Sequence, residues 1–383
     1  MGKREDGSWR NVIYLGFVSL FTDISSEMIF AILPLYMVMK GMGGEIIGAA
    51  EGFAEAIANV LKIFSGWLSD KVRKRKPLVI AGYSLSAVTK PLFAYARTGI
   101  EIALIRVGER VGKGIRTTPR DVIIALSTRE KKRGRAYGVH RMMDTTGAVI
   151  GPLLSFFLLP LFSYESIFLF SLIPASIAIV ILILLVREPE GEETSFSSGG
   201  KFSHKFLLFM VPVAVIGLAS FSYAFILLRS VDFVSQDIAP LLYLLINISY
   251  AIFAYPIGLL GDRIGLPITF SLPYVSLMIV SYGFMNELNI LFVILLLVLY
   301  GLYKSSLDTL GRAISSVLSA KGVIGRGMGL YHLTLGLLML TANMIAGYLW
   351  SIDHTLPFLY ALIIAAIGLV ILVLYVRWLS KAR

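Results

Sequence analysis

Ionisable side chains recur inside stretches of this sequence that are otherwise apolar, and nearly all of them fall in its first half. Asp23 and Glu27 lie in one such stretch, Glu51, Glu55 and Lys62 in the next, then Lys90, then Arg106, Glu109, Arg110, Lys113, Arg116 and Arg120, and finally His140, Arg141 and Asp144. Their separations are helical. Asp23 with Glu27, Glu51 with Glu55, and Glu109 with Lys113, Arg116 and Arg120 follow at intervals of three or four, so each set shares one helix face. A charge in hydrocarbon is costly, and such groups face one another or a water-filled path. A carboxylate in apolar surroundings keeps its proton until a cation approaches. That chemistry makes Asp23, Glu27, Glu55 and Asp144 candidates for carrying protons, with Arg110 as the switching cation. His140, one turn before Asp144, is either a proton relay or a histidine at the cytoplasmic end of its helix. A purely structural account, in which each acid is half of a fixed ion pair, explains single residues more easily than the whole set.

Composition dictates the elements that must position these groups. Of 383 residues 57% are hydrophobic, 15% are charged and none is cysteine, so a bilayer is the solvent. Apolar stretches of about 20 residues, enough for a helix to cross a roughly 30 Å hydrocarbon core, follow one another closely. They run near residues 11–39, 45–69, 77–97, 99–126, 135–160, 164–186, 205–230, 238–260, 267–286, 289–319, 326–350 and 356–379. The pattern predicts an all-α integral membrane protein of twelve transmembrane helices. A β-barrel would alternate apolar and polar residues, whereas Ile177 to Val186 and Ile290 to Leu299 are continuously apolar. The stretch behind Lys3, Arg4 and Arg10 is too long for a signal-peptide core and is expected to remain as the first helix.

Lysine and arginine near helix ends are retained on the cytoplasmic side. The tails and alternate connections hold the basic clusters, among them Lys71, Arg73 to Lys76 and Arg129 to Arg135, while the opposite connections hold Lys40, Arg97 and Arg229. Both termini are therefore expected in the cytoplasm, and the protein in the cell membrane. This asymmetry accounts for most of the net charge of +11, so nucleic acid is not needed as a partner. The lack of cysteine excludes disulfide, iron–sulfur and thiolate–zinc chemistry. No Gly-x4-Gly-Lys-Ser/Thr phosphate loop occurs, so energy must come from a gradient, and no cofactor or metal is expected.

A repeat runs through the chain. Gly66-Trp67-Leu68-Ser69-Asp70-Lys71 recurs as Gly258-Leu259-Leu260-Gly261-Asp262-Arg263, 192 residues later. Arg120 and Ser127 recur as Arg312 and Ser319 at the same offset, and Gly134, Arg135 and Gly138 as Gly325, Arg326 and Gly329 at 191. Each copy holds six predicted helices, giving bundles over residues 1–186 and 205–383, with the polar segment 187–204 as a cytoplasmic linker.

With these motifs the sequence resembles the major facilitator superfamily over essentially its whole length. The residues Gly66-Trp67-Leu68-Ser69-Asp70-Lys71-Val72-Arg73-Lys74-Arg75 are similar to the family's loop signature Gly-x-Leu-Ala-Asp-Arg-x-Gly-Arg-Arg, with Arg73 in place of the second glycine. Gly138, Gly147, Gly151 and Pro152 match the spacing Gly-x8-Gly-x3-Gly-Pro of the drug and proton antiporter branch, although Leu154, Ser155 and Phe156 stand where further glycines would follow. Arg110-x-x-Lys113-Gly114 fits Arg-x-x-Gln-Gly with lysine for glutamine. The resemblance implies two pseudo-symmetric six-helix bundles, a monomer, and transport of a small molecule by alternating access with proton antiport. It also implies a cytoplasmic gate in which Asp70 meets the segment near Gly325 while Lys71, Lys74 and Arg75 pair with Asp121. From the residues alone, the helix 5 glycines read as a close-packing stripe beside which another helix can approach.

Three transport readings stay open: proton-driven export of a small or amphiphilic solute, passage of an organic anion drawn by Lys62, Lys90, Arg106, Arg110 and Lys113, and passage of a metal cation held by Asp23, Glu27, Glu51 and Glu55. An enzyme would need a nucleophile or base set beside a partner, and no such constellation stands out.

Overall fold

The structure is a computed structural model that describes residues 2–72, 74–128, 133–188, 202–318 and 324–381. Among these residues every regular element is helical. In chain order they are α1 (Gly2–Phe30), α2 (Leu33–Met39), α3 (Gly44–Val72), α4 (Lys76–Leu92), α5 (Gly99–Leu126), α6 (Arg133–Leu158), α7 (Tyr164–Phe170) and α8 (Leu172–Leu184). There follow α9 (His204–Ala219), α10 (Tyr223–Val231), α11 (Ala239–Ile264), α12 (Leu266–Thr269), α13 (Leu272–Phe284), α14 (Ile290–Leu318), α15 (Ile324–Ile352) and α16 (Leu356–Lys381).

Nine helical stretches among the described residues are long and apolar enough to cross a membrane: Trp9–Met39, Lys76–Tyr95, Tyr164–Leu184, His204–Val231, Gln236–Gly261, Leu266–Phe284, Ile290–Ser315, Gly327–Ile352 and Leu356–Lys381. Helices α3, α5 and α6, at 29, 28 and 26 residues, are long enough but fall outside that set. They carry most of the embedded ionisable residues, and those charges lower their hydropathy. The all-helical expectation is met; the count of twelve spans depends on adding these three to the nine.

Four stretches expected to be continuous are broken. Pro34, at the second position of α2, has no N–H to bond one turn back, so the chain turns between Phe30 and Leu33. The break between α9 and α10 is held by side chains. Ser222 Oγ accepts from Ala224 N at 3.2 Å as the α10 N-cap, and Ser222 N donates to Asn343 Oδ1 at 2.7 Å. The two breaks fall at corresponding points of the repeat. A third lies at Ser171, whose hydroxyl donates to Phe168 O at 2.6 Å, and a fourth between α12 and α13.

The chain forms two compact units. The first comprises Met1–Met42, Phe53–Glu193 and Asp237–Leu244; the second comprises Gly43–Gly52, Thr194–Gln236 and Leu245–Arg383. Within the first, α1 packs on α6 and α8, and α4 packs on α5 and α8. Within the second, α9 packs on α15 and α16, and α13 packs on α14 and α16. In terms of the six expected spans of each half the pattern is the same: first on fifth and sixth, third on fourth and sixth. The sequence repeat is thus a repeat of packing. In the first unit Val12, Leu15, Val18, Val79, Tyr83, Ile123, Ile124 and Leu182 form one buried apolar cluster joining α1, α4, α5 and α8. Asn11 closes its end. Its Nδ2 donates to Ser127 Oγ and Arg187 O, each at 3.0 Å, and its Oδ1 accepts from Arg187 N at 2.9 Å.

Candidate functional site in the first unit

The site begins with two glycines of α6 placed one turn apart. A Cβ on Gly147 would press on the Leu20 carbonyl and stand 3.0 Å from Asp23 Cβ; one on Gly151 would lie 2.8 Å from Met28 N and 2.9 Å from Glu27 Cβ. Small residues there let the α1 and α6 backbones approach closely. Ser155, where a further glycine would follow, donates its hydroxyl to Met28 O in the same seam. Gly138 lies in α6 nine residues before Gly147, and Pro152 is buried within the helix.

The close approach sets carboxyls side by side. Asp23 of α1 and Asp144 of α6 lie within hydrogen-bonding reach of each other. Asp144 Oδ1 accepts from Ser19 Oγ at 2.9 Å and its Oδ2 from Arg141 Nη1 at 2.7 Å. Arg120 Nη1 donates to the same Ser19 oxygen at 3.3 Å, so its cation reaches Asp144 through a hydroxyl. One turn along α1, Glu27 Oε2 accepts from Tyr243 Oη at 2.6 Å.

Helix α5 supplies a ladder of charges. Buried Arg106 lies 3.3 Å from Glu109 Oε2, and Arg110 Nε stands 3.7 Å from the same oxygen and 3.9 Å from Glu55 Oε2. The ring of Phe30 underlies both guanidinium groups, 4.0 Å from Arg106 Cζ and 5.3 Å from Arg110 Cζ. Arg116 donates to Ser86 Oγ and lies 4.5 Å above the Tyr83 ring. Lys90 of α4, only 1% exposed, donates to Ser25 Oγ at 2.7 Å and Ser26 Oγ at 3.2 Å, while Ser25 donates onward to Ser171 O. Lys113 sits among Glu55, Glu109 and Asp23, and no carboxylate among the described residues lies within 4.0 Å of its ammonium. His140 is 5% exposed, and its Nε2 has no partner among the described residues.

Most residues singled out in the sequence therefore meet in one unit. Glu51 does not join them. It belongs to the second unit, where its Oε2 accepts from Ser222 Oγ at 3.1 Å, although it shares a helix face with Glu55. Asp70 and Lys71 fall in the last turn of α3, and their side chains lie outside the described residues. Gly66 is where α3 meets Thr118 of α5, a Cβ there standing 2.9 Å from Thr118 Cγ2. Asp121 accepts from its neighbour Arg120 at 2.8 Å; Lys74 is exposed, and the backbone N–H groups of Arg75 and Lys76 donate to Glu188, which caps α4. On the opposite side, Lys40 pairs with Glu165 at 3.4 Å, and its ammonium is held above its usual pKa by a hydrogen bond with Tyr36 and by that carboxylate. Among the described residues no group of three or more His, Asp or Glu can hold a metal ion.

The Major Facilitator Superfamily profile matches residues 15–235, more than half of the chain. An uncharacterized MFS-type transporter of Methanocaldococcus jannaschii is 37% identical over 376 residues, covering 95% of this chain and 94% of that protein. The chain belongs to the Major Facilitator Superfamily. That membership places it among transporters and not among enzymes. The multidrug resistance protein MdtH of Aeromonas salmonicida is 30% identical over a shorter region, 41% of this facilitator-superfamily chain and 38% of its own length. In three dimensions the chain is similar to a POT family transporter crystallised with 5-aminolevulinic acid, with a TM-score of 0.79 over 97% of this chain and 96% of that one. At 13% identity that likeness concerns the facilitator fold alone.

Sequence reasoning passed over the neutral partners: Ser19, Ser25, Ser26, Ser86 and Tyr243. The adjacent Ser25-Ser26 pair inside an apolar stretch was a legible signal. Tyr243 carried none, because a tyrosine near a helix start is common at membrane interfaces.

Proposed function

We propose that this chain is a proton-coupled secondary transporter that exports a small or amphiphilic solute by alternating access. In this reading it acts as a monomer of twelve spans in the cell membrane, with both termini cytoplasmic and with Gly66, Asp70, Lys71, Lys74, Arg75 and Asp121 forming the cytoplasmic gate. The observation that carries the coupling is the Asp23 and Asp144 pair at the α1–α6 seam. Two carboxylates this close repel unless a proton lies between them. Arg141, and Arg120 through Ser19, compensate charge on Asp144; withdrawal of either cation favours protonation of the pair, and its return favours release. A seam without side chains at Gly147 and Gly151 gives α1 and α6 a surface on which small shifts alter these distances. Export is supported by the partial similarity to a protein named for multidrug resistance.

The test is proton flux in proteoliposomes holding an internal pH dye. Cationic amphiphiles, organic anions and divalent metals are added in turn to wild type, Asp23→Asn and Asp144→Asn. Solute-evoked proton movement in wild type and its loss in both variants is the expected result. Solute movement with no proton movement would replace the reading with facilitated diffusion.

A further inference from the structure

We infer that the transported solute carries an anionic group and that Lys113 is the residue that binds it. The inference rests on the transporter reading above and names its substrate class.

It follows from accounting for the embedded charges of the first unit, where Lys62 donates to Asn59 Oδ1 at 2.8 Å. Arg106 is compensated by Glu109, Arg110 by Glu109 and Glu55, Arg120 by Asp121 and Arg141 by Asp144. Of the remaining acids, Glu27 is held by the Tyr243 hydroxyl, and Asp23 faces Asp144. Lys90, Arg116 and Lys113 have no carboxylate within 4.0 Å among the described residues. Lys90 is satisfied by two serine hydroxyls, and Arg116 by a serine hydroxyl and the Tyr83 ring. Lys113 has neither kind of substitute, and the nearby acids act on it only from longer range.

Position excludes the usual escape of a membrane lysine. Lys113 is the fifteenth of the 28 residues of α5, which at 1.5 Å per residue puts either end roughly 20 Å away. A four-carbon stem cannot carry the ammonium to an interface across that distance. The second unit repeats the feature by itself. Lys304 is the fifteenth of the 29 residues of α14 and has no hydrogen-bond or ion-pair partner among the described residues, its neighbour Asp308 being held by Tyr250 Oη at 2.9 Å. An ammonium with three N–H donors suits a carboxylate, phosphate or sulfate oxygen. An interior-negative membrane potential also drives an anion outward, the direction proposed for transport.

The test is thermal unfolding of the purified full chain in detergent, with benzoate, inorganic phosphate and tetraphenylphosphonium as probes. A saturable rise in Tm with benzoate or phosphate is expected for wild type. Lys113→Met should weaken the apparent affinity at least about tenfold, and Lys113→Arg should retain it, since a charged hydrogen bond is being removed or kept. If Lys113→Met elutes as an aggregate, Lys113→Gln takes its place. Anion stabilisation equal in the Met or Gln variant, a saturable response to tetraphenylphosphonium alone, or no response of wild type to either anion overturns the inference. Because no gradient is present, failure here leaves proton coupling standing, and failure of the dye assay leaves anion binding standing.

Discussion

Lys90 is a buried ammonium whose hydrogen-bond partners are two hydroxyls, Ser25 and Ser26, with no carboxylate among the described residues within ion-pair distance. Burying a charge without a counter-ion is costly, and an apolar residue of similar volume avoids that cost. Lys90→Met should therefore fold and raise Tm by a few degrees in detergent, while Lys90→Glu should lower it; a Met variant that melts well below wild type would show that the hydroxyl pair stabilises the ammonium fully. The Glu27 contact tests the opposite case. Tyr243→Phe removes a hydroxyl donor to a charged acceptor, for which about 1.5–3 kcal/mol is typical. Denaturant or thermal titration should show that loss, and the Tyr243→Phe, Glu27→Gln double variant should be less than additive because the two changes remove one interaction.

At the scale of elements the controlling feature is the α1–α6 seam. Gly147→Val and Gly151→Val each insert side-chain atoms where a Cβ already meets α1 backbone, and overpacking of this kind costs typically about 1–3 kcal/mol. Both variants should lower Tm, and because the seam carries Asp23 and Glu27 they should also reduce proton coupling measured with the dye. Leu154→Val, on the same helix and exposed at 38%, is expected to leave Tm nearly unchanged. The repeat was legible in the sequence from Gly66, Asp70, Arg120 and Gly134, and the packing of α9, α13, α14, α15 and α16 repeats that of α1, α4, α5, α6 and α8. The mid-span breaks were only partly legible. Pro34 marks one, but the break after α9 depends on Asn343, 121 residues away, and no local pattern announces such a partner.

At the scale of the whole molecule the absence of cysteine gives a direct test of topology, because an introduced cysteine is the only thiol in the chain. A membrane-impermeant maleimide should label Arg97→Cys and Lys40→Cys in intact cells, and Lys74→Cys and Ser380→Cys only after permeabilisation. The reverse pattern would invert the proposed orientation. Labelling of Arg97→Cys and Lys74→Cys from the same side would remove a span between them.

The sequence by itself determined the solvent, the helical class, the internal repeat of motifs and the identity of the charged residues. Each of these follows from composition, run length or spacing along one helix, which are local quantities. Tertiary structure decided which charges compensate one another. Glu51 and Glu55 share a helix face yet belong to different units, and Asp23 meets Asp144 only because Gly147 lets two helices close. Arg120 reaches Asp144 through Ser19, and among the described residues Lys113 is left without a close partner where Lys90 has two serine hydroxyls. Pairing between helices depends on distances of 3 to 4 Å set by packing, and spacing along the chain does not encode them.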